Sequence, residues 1–193
     1  MHKIFVKSMV VLGAATVLLA PRIGAQTAGS PERFTALAVN VSRGGTAQIE
    51  IAVNRWSTDA ERSRLIKTLV DKGPEKLLDV LQDMPKVGFI RQTSSIGWDL
   101  RYARHTPLPE GGESVVVATD RPISTWEAIN QPRTIDYPFT VVEMHLKPSG
   151  EGEGKMTYAT KITVDKKTDS IVLENWGTSP VLLQGVHREN GTK

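Results

Sequence analysis

The sequence predicts an α+β fold that is mostly β: a strongly curved antiparallel sheet or incomplete barrel carrying an inserted two-helix hairpin. Three observations lead there. About eight or nine short segments alternate apolar and polar residues and are separated by turn residues at hairpin spacing. One block, Trp56 to Pro85, breaks that pattern with helical periodicity. And the chain has 193 residues, 39% of them hydrophobic, with no cysteine, so its core alone must hold it together.

The helical block carries its own start and stop signals. Thr58 and Glu61 have the spacing of a capping box, which places a helix start at Ser57 or Thr58. Leu65, Ile66, Leu69 and Val70 form one apolar stripe, and Gly73 followed by Pro74 ends that helix and begins another. The second helix has Leu77, Leu78, Leu81 and Met84 on its buried side and stops at Pro85. Helices this short need a surface to dock on, and the sheet supplies it.

The first 25 residues read as a secretory signal peptide: Lys3 and Lys7, an apolar run from Met9 to Ala20, then Ile23-Gly24-Ala25. That run is short for a membrane span, and Pro21 and Arg22 interrupt it. Cleavage after Ala25 would export the chain to a periplasm or the medium, with no stable membrane anchor. Of the 24 basic residues, Lys3, Lys7 and Arg22 leave with the leader, and the remaining 21 match the 21 acidic ones. No excess positive charge is left for phosphates, which argues against a nucleic-acid role.

Residues 26–33 read as a flexible lead-in, 34–189 as one β-rich domain with the helical hairpin at 57–84, and 190–193 as a tail. Strands are expected at Phe34 to Val41, Thr46 to Trp56, Val87 to Gln92, Gly97 to His105 and Ser114 to Asp120. Further strands follow at Phe139 to Leu146, Lys155 to Val164, Ser170 to Trp176 and Val181 to Arg188. In the fourth, Ile96, Trp98, Leu100 and Tyr102 share one face while Asp99, Arg101 and Ala103 share the other. Arg121 to Tyr137 has no clear periodicity, and a loop of that length in a compact domain is more often functional than idle.

Few strings carry chemistry. Gly150-Glu151-Gly152-Glu153-Gly154-Lys155 has the look of a phosphate loop, but a strand follows where a helix is required, so it reads as a hairpin turn. Glu143 and His145 project from one side of a strand, and His105 could approach them. Two imidazoles and a carboxylate are the minimum for zinc or non-haem iron, but the rigid H-E-x-x-H spacing is missing, and no metal or cofactor is assigned. Asp99, Glu143 and His145 are the candidate acid–base groups. Asp99, Arg101, Asp120, Arg121 and Glu143 sit in or beside β-branched strands and must be paired if the sheet curls them inward. In the long loop, Trp126 with Arg121 and Arg133, and Arg101 nearby, could hold an apolar molecule with an acidic end.

The runs NRWSTDAERSRLIKTL, VGFIR, GWDLRYAR, VVVATDRPI and DYPFTVVEMHLKPSGEGEGK resemble a group of exported bacterial proteins of unassigned function. That resemblance implies export and a single domain, and it transfers no catalytic residue. Lipocalins are a more distant comparison, their early glycine-x-tryptophan pattern being absent. Helix-grip ligand binders share the order strand, two helices, many strands, but their long C-terminal helix is absent.

Three functional readings follow. The first is a non-enzymatic exported domain binding a small apolar or acidic ligand in a concavity between curved sheet and helices. The second is an exported hydrolase or isomerase, and the third an envelope interaction or assembly protein using its sheet edge. An apolar cavity would favour the first, a pocket lined by paired Asp, Arg and His the second, and a packed interior with an exposed edge the third. Oligomeric state is left open.

Overall fold

The computed structural model describes residues 31–40, 44–93, 95–121, 139–165, 170–175 and 180–189. Residues 1–25, expected to be a signal peptide, Trp126, Arg133 and the rest of 122–138, and 190–193, expected to be a tail, lie outside them. In chain order the elements are β1 (Glu32–Val39), β2 (Thr46–Val53), α1 (Asp59–Lys72), α2 (Pro74–Asp83), β3 (Gly88–Gln92), β4 (Trp98–Pro107), β5 (Glu113–Thr119), β6 (Phe139–Leu146), β7 (Glu151–Asp165), β8 (Ser170–Asn175) and β9 (Val181–Glu189). The curved sheet closes: β1 to β7 pair in sequence, β7 also pairs with β9, and β9 returns to β1, giving an eight-stranded antiparallel barrel. β8 stands outside that ring and pairs with the far half of β7.

Closure needs strands that bend, and the sequence marks where. Register shifts interrupt β1 against β9 between Thr35 and Leu37, with Gly185 at φ +57°, and β7 against β9 between Gly152 and Gly154. A Cβ on Gly152 would collide with the carbonyl of His145 on β6, so glycine permits this close approach. The string read as a hairpin turn is therefore mostly strand. The turn is confined to Pro148 to Gly150, closed by Gly150 N–H donating to Lys147 O at 2.9 Å, and β7 begins at Glu151. At the other end of the sequence, β1 starts at Glu32, inside the stretch read as lead-in, because Glu32 and Arg33 find ladder partners in Val53 and Ala52.

Two cores result. Inside the barrel lie Phe34, Ile49, Ile51, Ile90, Leu100, Val115, Val117, Met144, Leu183 and their neighbours, each nearly inaccessible. Outside it, α1 and α2 cover the wall of β4 to β6 with Leu69, Leu77, Leu81 and Met84 packed on Ala118, Phe139 and Val141. The capping box forms as the spacing requires: Glu61 N–H donates to Thr58 Oγ1 at 3.2 Å and Thr58 N–H to Glu61 Oε2 at 2.7 Å. Gly73, at φ +83°, caps α1 and precedes Pro74 in the first turn of α2. The docking stripe of α1 is rotated from the expected one. It runs through Leu65, Thr68 and Leu69, and Val70 is 54% exposed, because the wall meets the helix along i, i+3, i+4.

β4 departs from strict alternation. A bulge between Leu100 and Tyr102 puts both Leu100 and Ala103 inside the barrel and hands Tyr102 to the helix side. Ile96, assigned to the same face, is exposed in the turn before β4. Among the described residues no helix is long and apolar enough to cross a membrane.

Candidate functional site

One end of the barrel, its mouth, gathers the polar side chains. The start of β1, the end of β9, the β4–β5 turn, the β6–β7 turn and the strap Asn54 to Thr58 that leads into α1 all meet there. The strap is pinned across it by Ser57 N–H donating to Ala103 O at 2.8 Å and Ala103 N–H donating to Ser57 Oγ at 3.1 Å. That inserts Trp56, 4% exposed, into the top of the barrel core.

Above the indole, inward-facing strand positions turn from apolar to charged. Glu32 precedes Phe34 by two, Glu113 precedes Val115 by two, and Arg188 follows Val186 by two, so each continues the inward face of its strand. The five side chains close a circuit. Trp56 Nε1 donates to Glu32 Oε1 at 3.1 Å, and the other Glu32 oxygen lies 2.9 Å from Arg188 Nε. Arg188 NH2 reaches Glu113 Oε1 at 2.6 Å, and Glu113 Oε2 meets His105 Nδ1 at 2.9 Å. The His105 ring lies 4.5 Å from the Trp56 ring, and Arg188 also sits over Phe34 at 5.2 Å. Arg188 Nε is misaligned for a hydrogen bond to Glu32 and contributes there through charge. The ion pairs are only a fifth to a third exposed, so each group depends on the others for solvation.

The sequence candidates are scattered relative to this circuit. His105 belongs to it. Glu143 and His145 lie on the outer wall of β6, paired with each other at 3.0 Å and about half exposed. His105 and His145 therefore stand on opposite faces of the sheet, and among the described residues no three His, Asp or Glu are arranged to hold a metal ion. Asp99 sits near the opposite end of the barrel with Lys86 Nζ at 2.5 Å. Arg101 is occupied structurally: its Nε donates to the buried Asp120 at 3.1 Å and its NH1 to Met84 O at 2.9 Å, tying the end of α2 to the bulge in β4. Arg121 is mostly exposed, its Nε 3.4 Å from Asp120. Glu32, Trp56, Glu113 and Arg188 were not singled out as a site, although the alternation extended past each apolar run could have found the three charged ones.

Just outside the circuit, the outer wall of β6, β7 and β9 is left open by the helices. A depression of about 840 Å³ there is lined by Glu110, His145, Lys147, Glu151, Glu153 and His187 among others. His145 lies opposite Glu153 and His187 opposite Glu151 in the ladders. His105, His145 and His187, the histidines among the described residues, thus all sit at this end of the barrel. A second depression, about 340 Å³, marks the bulge between Ala36 and Gly185. Compared with protein-family models, curated proteins and solved structures, the chain has no match.

Proposed function

We propose that this chain is an exported, non-enzymatic interaction domain that works with the outside of its barrel. The observation that carries this reading is the filled interior. Barrels that hold a small molecule keep it among their inward positions. Here those positions are taken by Phe34, Ile51, Leu100, Met144, Leu183 and their neighbours, and the gap under the helices by Leu69, Leu81 and Phe139. The acid–base groups at the mouth face one another, which argues against the hydrolase or isomerase reading.

A second reading is kept by one observation, the mouth-side depression, which is large enough for a small ligand. The apolar or acidic ligand expected at Trp126, Arg121 and Arg133 would need a different place, since Arg121 lies beside Asp120 at the end of the barrel opposite this depression. Native mass spectrometry of the protein recovered from its exported compartment separates the two. The interaction reading expects a mass beginning at Gln26 with nothing bound below macromolecular size. A retained molecule of small mass would overturn it in favour of the second, and a mass beginning at Met1 would remove the export step from both.

A further inference from the structure

The bulge in β9 shapes the outer wall as well as closing the barrel. Gly185 lines both depressions described above, and the strand registers join them into one trough. Gln48 of β2 lies opposite Leu37 of β1, Leu37 opposite Gln184 of β9, and Glu153 of β7 opposite His145 of β6. Glu153 falls at the register shift between Gly152, paired with Val186, and Gly154, paired with Leu183, so it faces Gln184 and Gly185. These residues make one row across five strands, and each of them lines one depression or the other. At about 4.8 Å per strand spacing the row is roughly 19 Å long, the reach of about six residues of extended chain. At its middle Gly185 sits at φ +57° with open space where a Cβ would be, so no described side chain fills the floor there.

The two halves of the trough differ in chemistry. On the β1 side Leu37 and, diagonal to it on β9, Leu182 are among the few large apolar side chains left exposed among the described residues. On the β7 side stand the carboxylates of Glu110, Glu151 and Glu153, and none of them forms an ion pair among the described residues. Lys147 is the one permanent cation in that lining. Elsewhere on the outer wall carboxylates are matched: Glu50 by Arg33 and Arg91, Asp99 by Lys86, and Glu143 by His145 with Lys155 opposite it. A purely apolar partner would cover these carboxylates unpaired, and a purely basic one would leave the leucines in water. We infer that the trough docks an extended segment of a partner protein that carries an apolar residue and a Lys or Arg about three positions apart. The spacing follows from the ladder: only β9 separates Leu37 from Glu153, two strand spacings or about 10 Å, which about three extended residues span. This deepens the interaction reading above and rests on it.

Selection of a phage-displayed random peptide library on the exported form is expected to enrich that spacing. The enriched peptide, labelled with fluorescein, should bind in a polarisation titration. Raising NaCl from about 50 to about 300 mM should weaken it at least about threefold, because exposed charge pairs are screened. Gly185→Asn sets a side chain on the floor of the trough, and asparagine tolerates the left-handed backbone there, so affinity should fall at least about tenfold with the circular dichroism unchanged. Leu37→Ser on the apolar side, and Glu151→Gln with Glu153→Gln on the charged side, are surface changes that should each weaken binding at least about threefold without moving the melting temperature. Enrichment of no sequence, or of acidic or purely apolar ones, overturns the proposal. So does a peptide that binds these variants as tightly as the parent. A dimer seen in sedimentation velocity and lost in Gly185→Asn would give the trough to a second copy and overturn it as well. Each of these results leaves the interaction reading intact, because that reading is judged by what the exported protein retains.

Discussion

The wall of the barrel has two kinds of outer surface, and comparing them explains much of the molecule. Under α1 and α2, the strands β5 and β6 are buried on both faces: Val115 and Val117 point in, while Val116 and Ala118 meet the helices, and Phe139 to Val142 are all inaccessible. On β1 and β9 the outer face is wet, and in β1 inward Phe34, Ala36 and Ala38 alternate with accessible Leu37 and Val39. A strand covered on both sides reads as an apolar run and a half-covered strand as an alternation. The outer wall beneath the helices is thus a second core, equal in burial to the first.

The largest expected effect tests whether the helices belong to the cooperative unit. Leu69→Asp places a charge in the layer of Leu77, Leu81 and Phe139 and should cost more than about 4 kcal/mol, enough to unfold the whole domain. Circular dichroism retaining the strand signal with only the helices lost would show two independent layers instead. The next pair measures the equivalence of the cores directly. Phe34→Ala inside and Phe139→Ala outside should each cost about 3–5 kcal/mol in urea unfolding, since both rings are almost fully buried. If Phe139→Ala costs less than half as much as Phe34→Ala, the outer layer is loosely packed.

That contrast also explains what was legible. The helical hairpin was readable because capping box, Gly73 and Pro74 are local signals that tertiary packing did not override. The curved antiparallel sheet was readable from alternation, but its closure was not, because it depends on where Gly152, Gly185 and the bulge at Arg101 bend strands toward distant partners. Face assignment failed at Tyr102 for the same reason, since one extra residue flips the faces beyond it. For the mouth circuit, Glu32, Glu113 and Arg188 are far apart in sequence, and only the inward alternation of their own strands marks them. Glu143 and His145 were correctly placed on one strand face, but nothing local could say that His105 lies on the other side of the sheet.

A smaller effect separates inward from outward charge at the mouth. Glu113→Gln leaves Arg188 with Glu32 alone and weakens the hold on His105, and it should cost about 1–3 kcal/mol. Glu153→Gln, on the outer wall two strands away in the same end of the barrel, should stay within about 0.5 kcal/mol. Equal melting temperatures for the two variants would mean that the circuit is a surface feature.

The smallest effect concerns the joint between the two regions, where the strap leaves the barrel and enters α1. Arg55 grips Glu61 with NH1 at 3.0 Å and NH2 at 2.8 Å, while the same carboxylate closes the capping box through Thr58 N–H. The Arg55 guanidinium, opposed in part by burial and helped by Thr58, holds the Glu61 carboxyl below its ordinary value of 4.5. A carboxyl with a lowered folded-state pKa stabilises the fold fully above its unfolded value, and that contribution is lost as pH falls through the folded one. The window is therefore on the acid side of 4.5, and because the pair is partly hydrated it is worth below about 1 kcal/mol. Replacing Arg55→Gln should move the Glu61 carboxyl titration, followed by carbon NMR, upward toward the ordinary value. The stability lost on acidification below 4.5 should shrink with it. An unchanged Glu61 titration in the variant would place the hold on this carboxylate in the capping box alone, and the strap would then be joined to α1 by backbone rather than by charge.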